Sequence, residues 1–303
     1  MVVLSVSHLS KKFGDFIAVD DISFDLKEGE ILGILGPNGA GKTTTIQMLL
    51  GVLRPDSGDV TYFGKEFNKH REEILEQVNF SSTYTNMPWE LTVKENLTFI
   101  SYLYTIEDRK KRVESIIKTF RLEEILNKQM NKLSAGQITR CNLAKGFINY
   151  PKVLLLDEPT ASLDPEVAGF IRNFLLEERQ KFQVSIILTS HNMAEVEEVC
   201  DRVIFINHGK VVADDTPDQL AKSIHTSHLE LYVKDGLKRT IQFCEEQKKA
   251  HRIDGRYIVI DLKETEIPIF LKALMDLGIY YTEISIDKPS LEDYFLEVVG
   301  KKL

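Results

Sequence analysis

One stretch narrows the folds open to this chain more than any other: GPNGAGKTT, Gly36 to Thr44, set between the apolar run ILGIL and the apolar-periodic run TIQMLL. The spacing is G-x-x-x-x-G-K-[ST], in the order strand, tight loop, helix. Its glycines let backbone N–H groups turn inward around phosphate oxygens, and the start of the following helix adds favourable partial charge. The candidate nucleotide-binding residues are therefore Gly36, Pro37, Asn38, Gly39, Ala40, Gly41, Lys42, Thr43 and Thr44. Lys42 is placed to reach the outer phosphates and Thr43 to hold Mg²⁺.

Around that loop the chain alternates strand-like and helical segments. Ile31 to Leu35 leads into a helix from Lys42, Val153 to Asp157 into one near Pro165, and Ser185 to Thr189 into one near Asn192. Such alternation predicts an α/β fold with a mainly parallel sheet. VLLLD and SIILTS are almost wholly apolar, as strands buried on both faces must be. Between Tyr84 and Lys132 the period becomes helical, with Leu97, Ile100, Leu103 and Tyr104, then Val113, Ile116, Ile117 and Phe120 on one stripe. This predicts a helical insert over about 84–150. A break near residue 225 sets off a small α+β domain, 225–303, from a larger one, 1–224. Its pattern is strand, helix, a turn at Asp254 and Gly255, strand, helix, strand, helix.

Hydrophobic residues make up 43% of the 303, enough for a packed core. The net charge of -8 argues against a nucleic-acid partner held by phosphate neutralisation. The apolar runs are short, whereas a membrane span needs about 20 apolar residues. The N-terminus reads as a first strand instead of a signal peptide, which places the protein in the cytoplasm. Cys141, Cys200 and Cys244 are far apart and form no CxxC or Cys/His cluster, so they read as packed thiols.

A phosphate-binding loop alone leaves kinases, GTPases and many ATPases open. VLLLDEP, Val153 to Pro159, ends a buried strand with two carboxylates. Asp157 fits the acid that binds Mg²⁺ at such a strand end, and Glu158 fits a general base that polarises the attacking water. LSAGQ, Leu133 to Gln137, opens a helix with Ser134 as its cap. SLD (Ser162 to Asp164) and TSH (Thr189 to His191) complete an ordered set.

That set resembles the ATP-binding cassette family over about residues 2 to 222. The resemblance implies a phosphate-binding-loop ATPase core with an antiparallel N-terminal β part, ATP and Mg²⁺ as ligands, and two cassettes facing head to tail. Ser134, Ala135, Gly136 and Gln137 would then act on the second cassette's γ-phosphate. His191 would contact the γ-phosphate and Glu158, and Asp164 would cross the interface. By the same match Phe13 stacks on adenine, with Phe16 the less favoured candidate. The family's usual glutamine before the helical insert is replaced by Thr83, which puts metal coordination in question. Ala135 stands where glycine is commoner, a change that requires negative φ.

The implied function is the ATP-hydrolysing subunit of a transporter, working on the inner face of the cell membrane with a second cassette and separate integral membrane permease subunits. The ending PSLEDYFLEVVG resembles the extension of bacterial exporter cassettes. A soluble cassette ATPase acting on ribosomes or DNA, and a nucleotide-binding regulator without turnover, are the alternatives. The first predicts tandem cassettes or a basic surface, the second loss of Glu158 or His191.

Overall fold

The computed structural model describes residues 1–82, 87–161, 163–224 and 227–300. They form two compact units, Met1–Pro217 and Asp218–Leu303. The division falls between Pro217 and Asp218, a few residues before the break read near residue 225.

The first unit opens with a long antiparallel hairpin, β1 (Val2–Phe13) and β2 (Phe16–Lys27). β3 (Ile31–Leu35) feeds α1 (Lys42–Leu49). Then β4 (Ser57–Tyr62) and β5 (Lys65–Glu66) return to the hairpin, giving an antiparallel sheet of order β2-β1-β4-β5. After α2 (Arg71–Leu75) and β6 (Val78–Ser82) comes the helical insert, α3 (Val93–Ser101), α4 (Arg109–Thr119) and α5 (Ala135–Gly146). The chain then alternates through β7 (Val153–Asp157), α6 (Pro165–Phe182), β8 (Ser185–Thr189), α7 (Met193–Val199), β9 (Arg202–Asn207) and β10 (Lys210–Asp215). The central sheet has order β10-β9-β3-β8-β7-β6, parallel throughout except for β10 against β9.

Every residue of β3, β7 and β8 is buried. A fully buried Leu or Ile contributes about 1.5–3 kcal/mol, so these apolar strands take the middle of the sheet. One core joins both sheets, with Leu4, Leu9 and Ile22 packed in the same cluster as Leu32, Ile34 and Leu155. Arg202 adds a polar fastening, bonding Glu30 at 2.8 Å, Asp214 at 2.8 and 2.9 Å, and the backbone carbonyl of Asp25.

Caps set the helix starts. Thr92 and Glu95 form a reciprocal capping box at α3, Ser134 and Gln137 another at α5, and Asp164 caps α6 ahead of Pro165. The apolar stripe through Leu103 and Tyr104 overruns α3, which ends at Ser101. The N–H groups of Tyr102 and Leu103 bond back three residues and tighten the turn, leaving Leu103 62% exposed.

α8 (Pro217–Lys222) leads into the second unit, which contains β11 (Ser227–Asp235), α9 (Leu237–Glu246), β12 (His251–Asp254), β13 (Tyr257–Leu262), α10 (Ile267–Asp276), β14 (Tyr280–Asp287) and α11 (Leu291–Gly300). Its antiparallel sheet has order β12-β13-β11-β14. The sequence pattern omits β12, because HRID carries no buried side chain to give a period. α9 and α10 cover one face through Cys244, Phe270 and Leu274. On the sheet, His228 is held between Asp261 of β13 (Nδ1 to Oδ1, 2.8 Å) and Asp293 of α11 (Nε2 to Oδ1, 3.0 Å). Cys141, Cys200 and Cys244 are buried free thiols.

Candidate functional site

The phosphate-binding loop leaves β3 at the carboxyl end of the parallel sheet, where an open α/β sheet places its ligands. Only glycine fits at two of its positions. Gly41 has φ +108, and a Cβ there would lie 2.3 Å from the carbonyl oxygen of Ala18; a Cβ at Gly36 would lie 2.1 Å from that of Ile206. The loop residues Asn38 to Thr44 line a hollow of about 270 Å³ with Phe13, Phe16, Ala18 and Glu158. Lys42 Nζ donates to the carbonyls of Gly36 (2.7 Å) and Pro37 (3.2 Å). Burial lowers its pKa, and the charges of Glu158 and Asp157 oppose that shift.

Beside the loop, Asp157 is 4% exposed at the end of β7. It accepts a 2.6 Å hydrogen bond from Thr189 Oγ1, and Thr43 Oγ1 lies 3.3 and 3.5 Å from its carboxylate oxygens. This hydroxyl and carboxylate pair is the donor set a small hard cation takes when phosphate oxygens and water complete its shell. Among the described residues no group of three or more His, Cys, Asp and Glu could hold a metal by itself. The Thr43 and Asp157 oxygens fit Mg²⁺ carried with a nucleotide. Thr83 lies outside the described residues, as does Ser162 of SLD.

Glu158 has φ +53, a left-handed conformation that costs a non-glycine residue of order 1–3 kcal/mol and persists only where its surroundings over-determine it. Its N–H donates to both the carbonyl oxygen and Oγ1 of Thr189, each at 3.1 Å. His191 Nδ1 lies 2.6 Å from Glu158 Oε2, with the histidine side chain 67% exposed and that of Glu158 14%. The two groups that sequence order pairs, 33 residues apart, are thus in direct contact.

Phe13 and Phe16 face each other across the β1–β2 turn, 49% and 60% exposed, and both line the hollow. Ser134, Ala135, Gly136 and Gln137 stand at the N-terminus of α5, and Asp164 at that of α6; none of them lines the hollow. Ser134, Ala135 and Asp164 are exposed. Ala135 is helical with negative φ, so its methyl is accommodated without strain. A hollow of about 630 Å³ in the second unit mixes Lys222, Lys263 and Lys288 with Asp218 and Glu264, and has no comparable convergence of chemistry.

Sequence reasoning passed over a cluster behind Glu158. Glu195, 2% exposed, takes hydrogen bonds from Thr160 (2.6 and 2.5 Å) and Ser190 (3.0 Å). A glutamate on an acidic helix start carries no signal of burial in the sequence.

A family model described as ABC transporter matches residues 19–161. The bacitracin transport ATP-binding protein BcrA of Bacillus licheniformis is 31% identical, over 98% of this chain and 97% of its own length. The Nod factor export ATP-binding protein I of Rhizobium sp. (strain N33) is 30% identical, over 100% of this chain and 98% of its own. Among solved structures, cbiO1 from Clostridium perfringens, part of the ABC transporter complex cbiONQ, superposes with a TM-score of 0.64 at 29% identity, covering 72% of this chain and 90% of that one. An ATP-binding cassette of an ABC transporter in its ADP conformation gives 0.65 at 25% identity, covering 72% and 92%.

Proposed function

The chain belongs to the ABC transporter family as an ATP-binding and ATP-hydrolysing subunit, and from that premise we propose that it powers export through separate membrane-embedded subunits. The observation that carries the direction of transport is coverage. Relatives named for bacitracin transport and Nod factor export match 98–100% of the chain, C-terminal unit included, where the solved cassettes cover 72%. No helix among the described residues is long and apolar enough to cross a membrane, and in this reading the substrate path lies in other subunits.

ATP hydrolysis follows from the site as built. The loop amides and the third ammonium hydrogen of Lys42 bind phosphate oxygens, and Phe13 or Phe16 offers a ring to adenine. Bound between Thr43 and Asp157, Mg²⁺ would supply charge neutralisation to the outer phosphates. Glu158 accepts a proton from the attacking water. His191, in contact with that carboxylate, keeps it oriented and reaches the same phosphate. A second copy supplies Ser134 to Gln137 and Asp164, a reading supported by the exposure of Ser134, Ala135 and Asp164 and by the absence of all five from this chain's own hollow. A serine hydroxyl at a helix N-terminus suits an anion.

Attachment to membrane subunits is supported by large apolar side chains exposed on the helical insert. Trp89, Phe99, Tyr102 and Leu103 are 44%, 55%, 67% and 62% exposed. Co-expression with polytopic partners and assay in inverted membrane vesicles tests the proposal. ATP-dependent accumulation of substrate inside them is expected; accumulation only in right-side-out vesicles would reverse the direction.

A further inference from the structure

We propose that Glu195 is a positioning residue for hydrolysis, a buried strut that holds the loop carrying Glu158 against the loop carrying His191. The proposal rests on the reading of Glu158 as the base. β7 and β8 run side by side in parallel up to the pair Asp157 and Thr189. Beyond that pair the ladder ends, and each chain carries one of the two reacting groups on its first or second residue. The bonds from the Glu158 N–H to Thr189 and the contact of Glu158 with His191 hold the two segments at their first residues, and a further tie sets the course of the loops behind them.

Glu195 spans the gap. It sits in the first turn of α7, four residues after His191, with its N–H capped by Asn192 Oδ1 at 3.2 Å. One end of the strut is Thr160, two residues past Glu158, whose hydroxyl donates to the carboxylate at 2.5–2.6 Å. The other is Ser190, the residue before His191, whose hydroxyl donates to Glu195 Oε2 at 3.0 Å and accepts from the N–H of Asn192 at 3.0 Å. The carboxylate is almost sealed from water at 2% exposure. A charge so buried is tolerated only when hydrogen-bonded, and both of the side chains that bond it belong to the two loops in question. The strut also accounts for the left-handed backbone of Glu158: the residue is pinned from before by Thr189 and from after by Thr160, so it cannot relax to an unstrained conformation.

A group that acts through another should change turnover without changing nucleotide binding. Glutamine keeps the shape of Glu195 and, with its oxygen at the Oε2 position, can still accept from both hydroxyls. It replaces Oε1, the second oxygen that Thr160 reaches, by an amide N–H group and turns both charge-assisted bonds into weaker neutral ones. Misplacement of the base by a fraction of an ångström up to about 1 Å predicts a loss of kcat of about 10-fold to 100-fold in Glu195→Gln. ATP affinity, measured by calorimetric titration, should stay within about twofold, because no part of the strut lines the phosphate hollow. The decisive comparison is the double variant. In a Glu158→Gln background the strut has no base left to place, so adding Glu195→Gln should cost nothing further. If Glu195→Gln fails to fold, Thr160→Val removes the other end of the same bond and should show the same split between kcat and affinity. Unchanged kcat in either folded variant overturns the proposal, as does an equal further loss in the Glu158→Gln background. Failure of the base assignment is distinct, since it appears in Glu158→Gln alone as retained turnover.

Discussion

Replacing Glu158 by glutamine separates binding from chemistry. The amide has the shape of the carboxylate, so the hollow keeps its walls and the contact with His191 Nδ1, 2.6 Å in the native chain, keeps both partners. What is lost is the negative charge and the capacity to take a proton. A positioned general base contributes about 10²–10⁴-fold, so turnover should fall by that factor, or about 2.7–5.4 kcal/mol at 1.36 kcal/mol per decade. Affinity should move the other way or not at all. The carboxylate shares its hollow with the triphosphate-binding loop, and neutralising it removes a like-charge repulsion. The loss of charge also removes one of the two carboxylates that oppose the burial-driven lowering of the Lys42 pKa, leaving Asp157 to hold it. Single-turnover phosphate release gives the chemical rate and calorimetric titration gives the affinity. Gel filtration with Mg-ATP should show an ATP-dependent dimer that persists because the nucleotide is not consumed. A variant that keeps more than about a tenth of native turnover, or that binds ATP more than about tenfold more weakly, would refute the assignment.

Other consequences are open to measurement. Phe13→Ala should cost about 1–3 kcal/mol of affinity for ATP while leaving inorganic triphosphate binding unchanged; a larger loss in Phe16→Ala would transfer the adenine contact to that ring. Arg202→Met strips the partner from Glu30 and Asp214 at a side chain 16% exposed. It should lower stability by about 3 kcal/mol in urea unfolding, and an unchanged midpoint would contradict the fastening role. His228 resists burial, which disfavours its charge, because Asp261 and Asp293 hydrogen-bond it and raise its pKa. Arg252 and Glu297 line the same hollow and Asp287 lies opposite on β14. With the folded value above the unfolded value of about 6.5, that stabilisation is complete below about pH 6.5 and is lost as pH rises through the folded value. Amide exchange of α11 should therefore speed up over that window, and in His228→Asn the dependence should vanish. A flat native profile would show that the histidine does not control α11.

The core of the fold was legible wherever composition alone dictates placement. ILGIL, VLLLD and SIILT cannot be anything but buried strands, and the loop after the first of them specifies its own turn through Gly36 and Gly41. Less was legible where local contacts override the pattern. The stripe through Leu103 continues in sequence, but two tightened hydrogen bonds end α3 before it. β12 is an exposed edge with no period to read. At the site, motif order pointed to Lys42, Asp157, Glu158 and His191, each at a fixed step from a strand end, and the fold sets Glu158 beside Lys42 in one hollow and in contact with His191. Glu195 was silent, because only the fold shows that a glutamate four positions past the histidine turns inward to two hydroxyls. The choice between Phe13 and Phe16 also stays with experiment, as both rings border the same hollow.

The three buried thiols make this chain chemically quiet. Burial pushes Cys141 up to about 12 and Cys244 up to about 11, and raises Cys200 as well. At neutral pH the thiolate, the form that attacks disulfides and alkylating reagents, is then about one part in 10⁴ or fewer at Cys244 and rarer still at Cys141. Oxidants and maleimides should pass the folded protein by. A single cysteine introduced at an exposed position, beside the hollow at Asp15 or on the insert at Thr98, would therefore take a fluorophore or spin label selectively, without removal of the native thiols. Distances between such labels in two copies would then test whether the copies pair and separate during turnover.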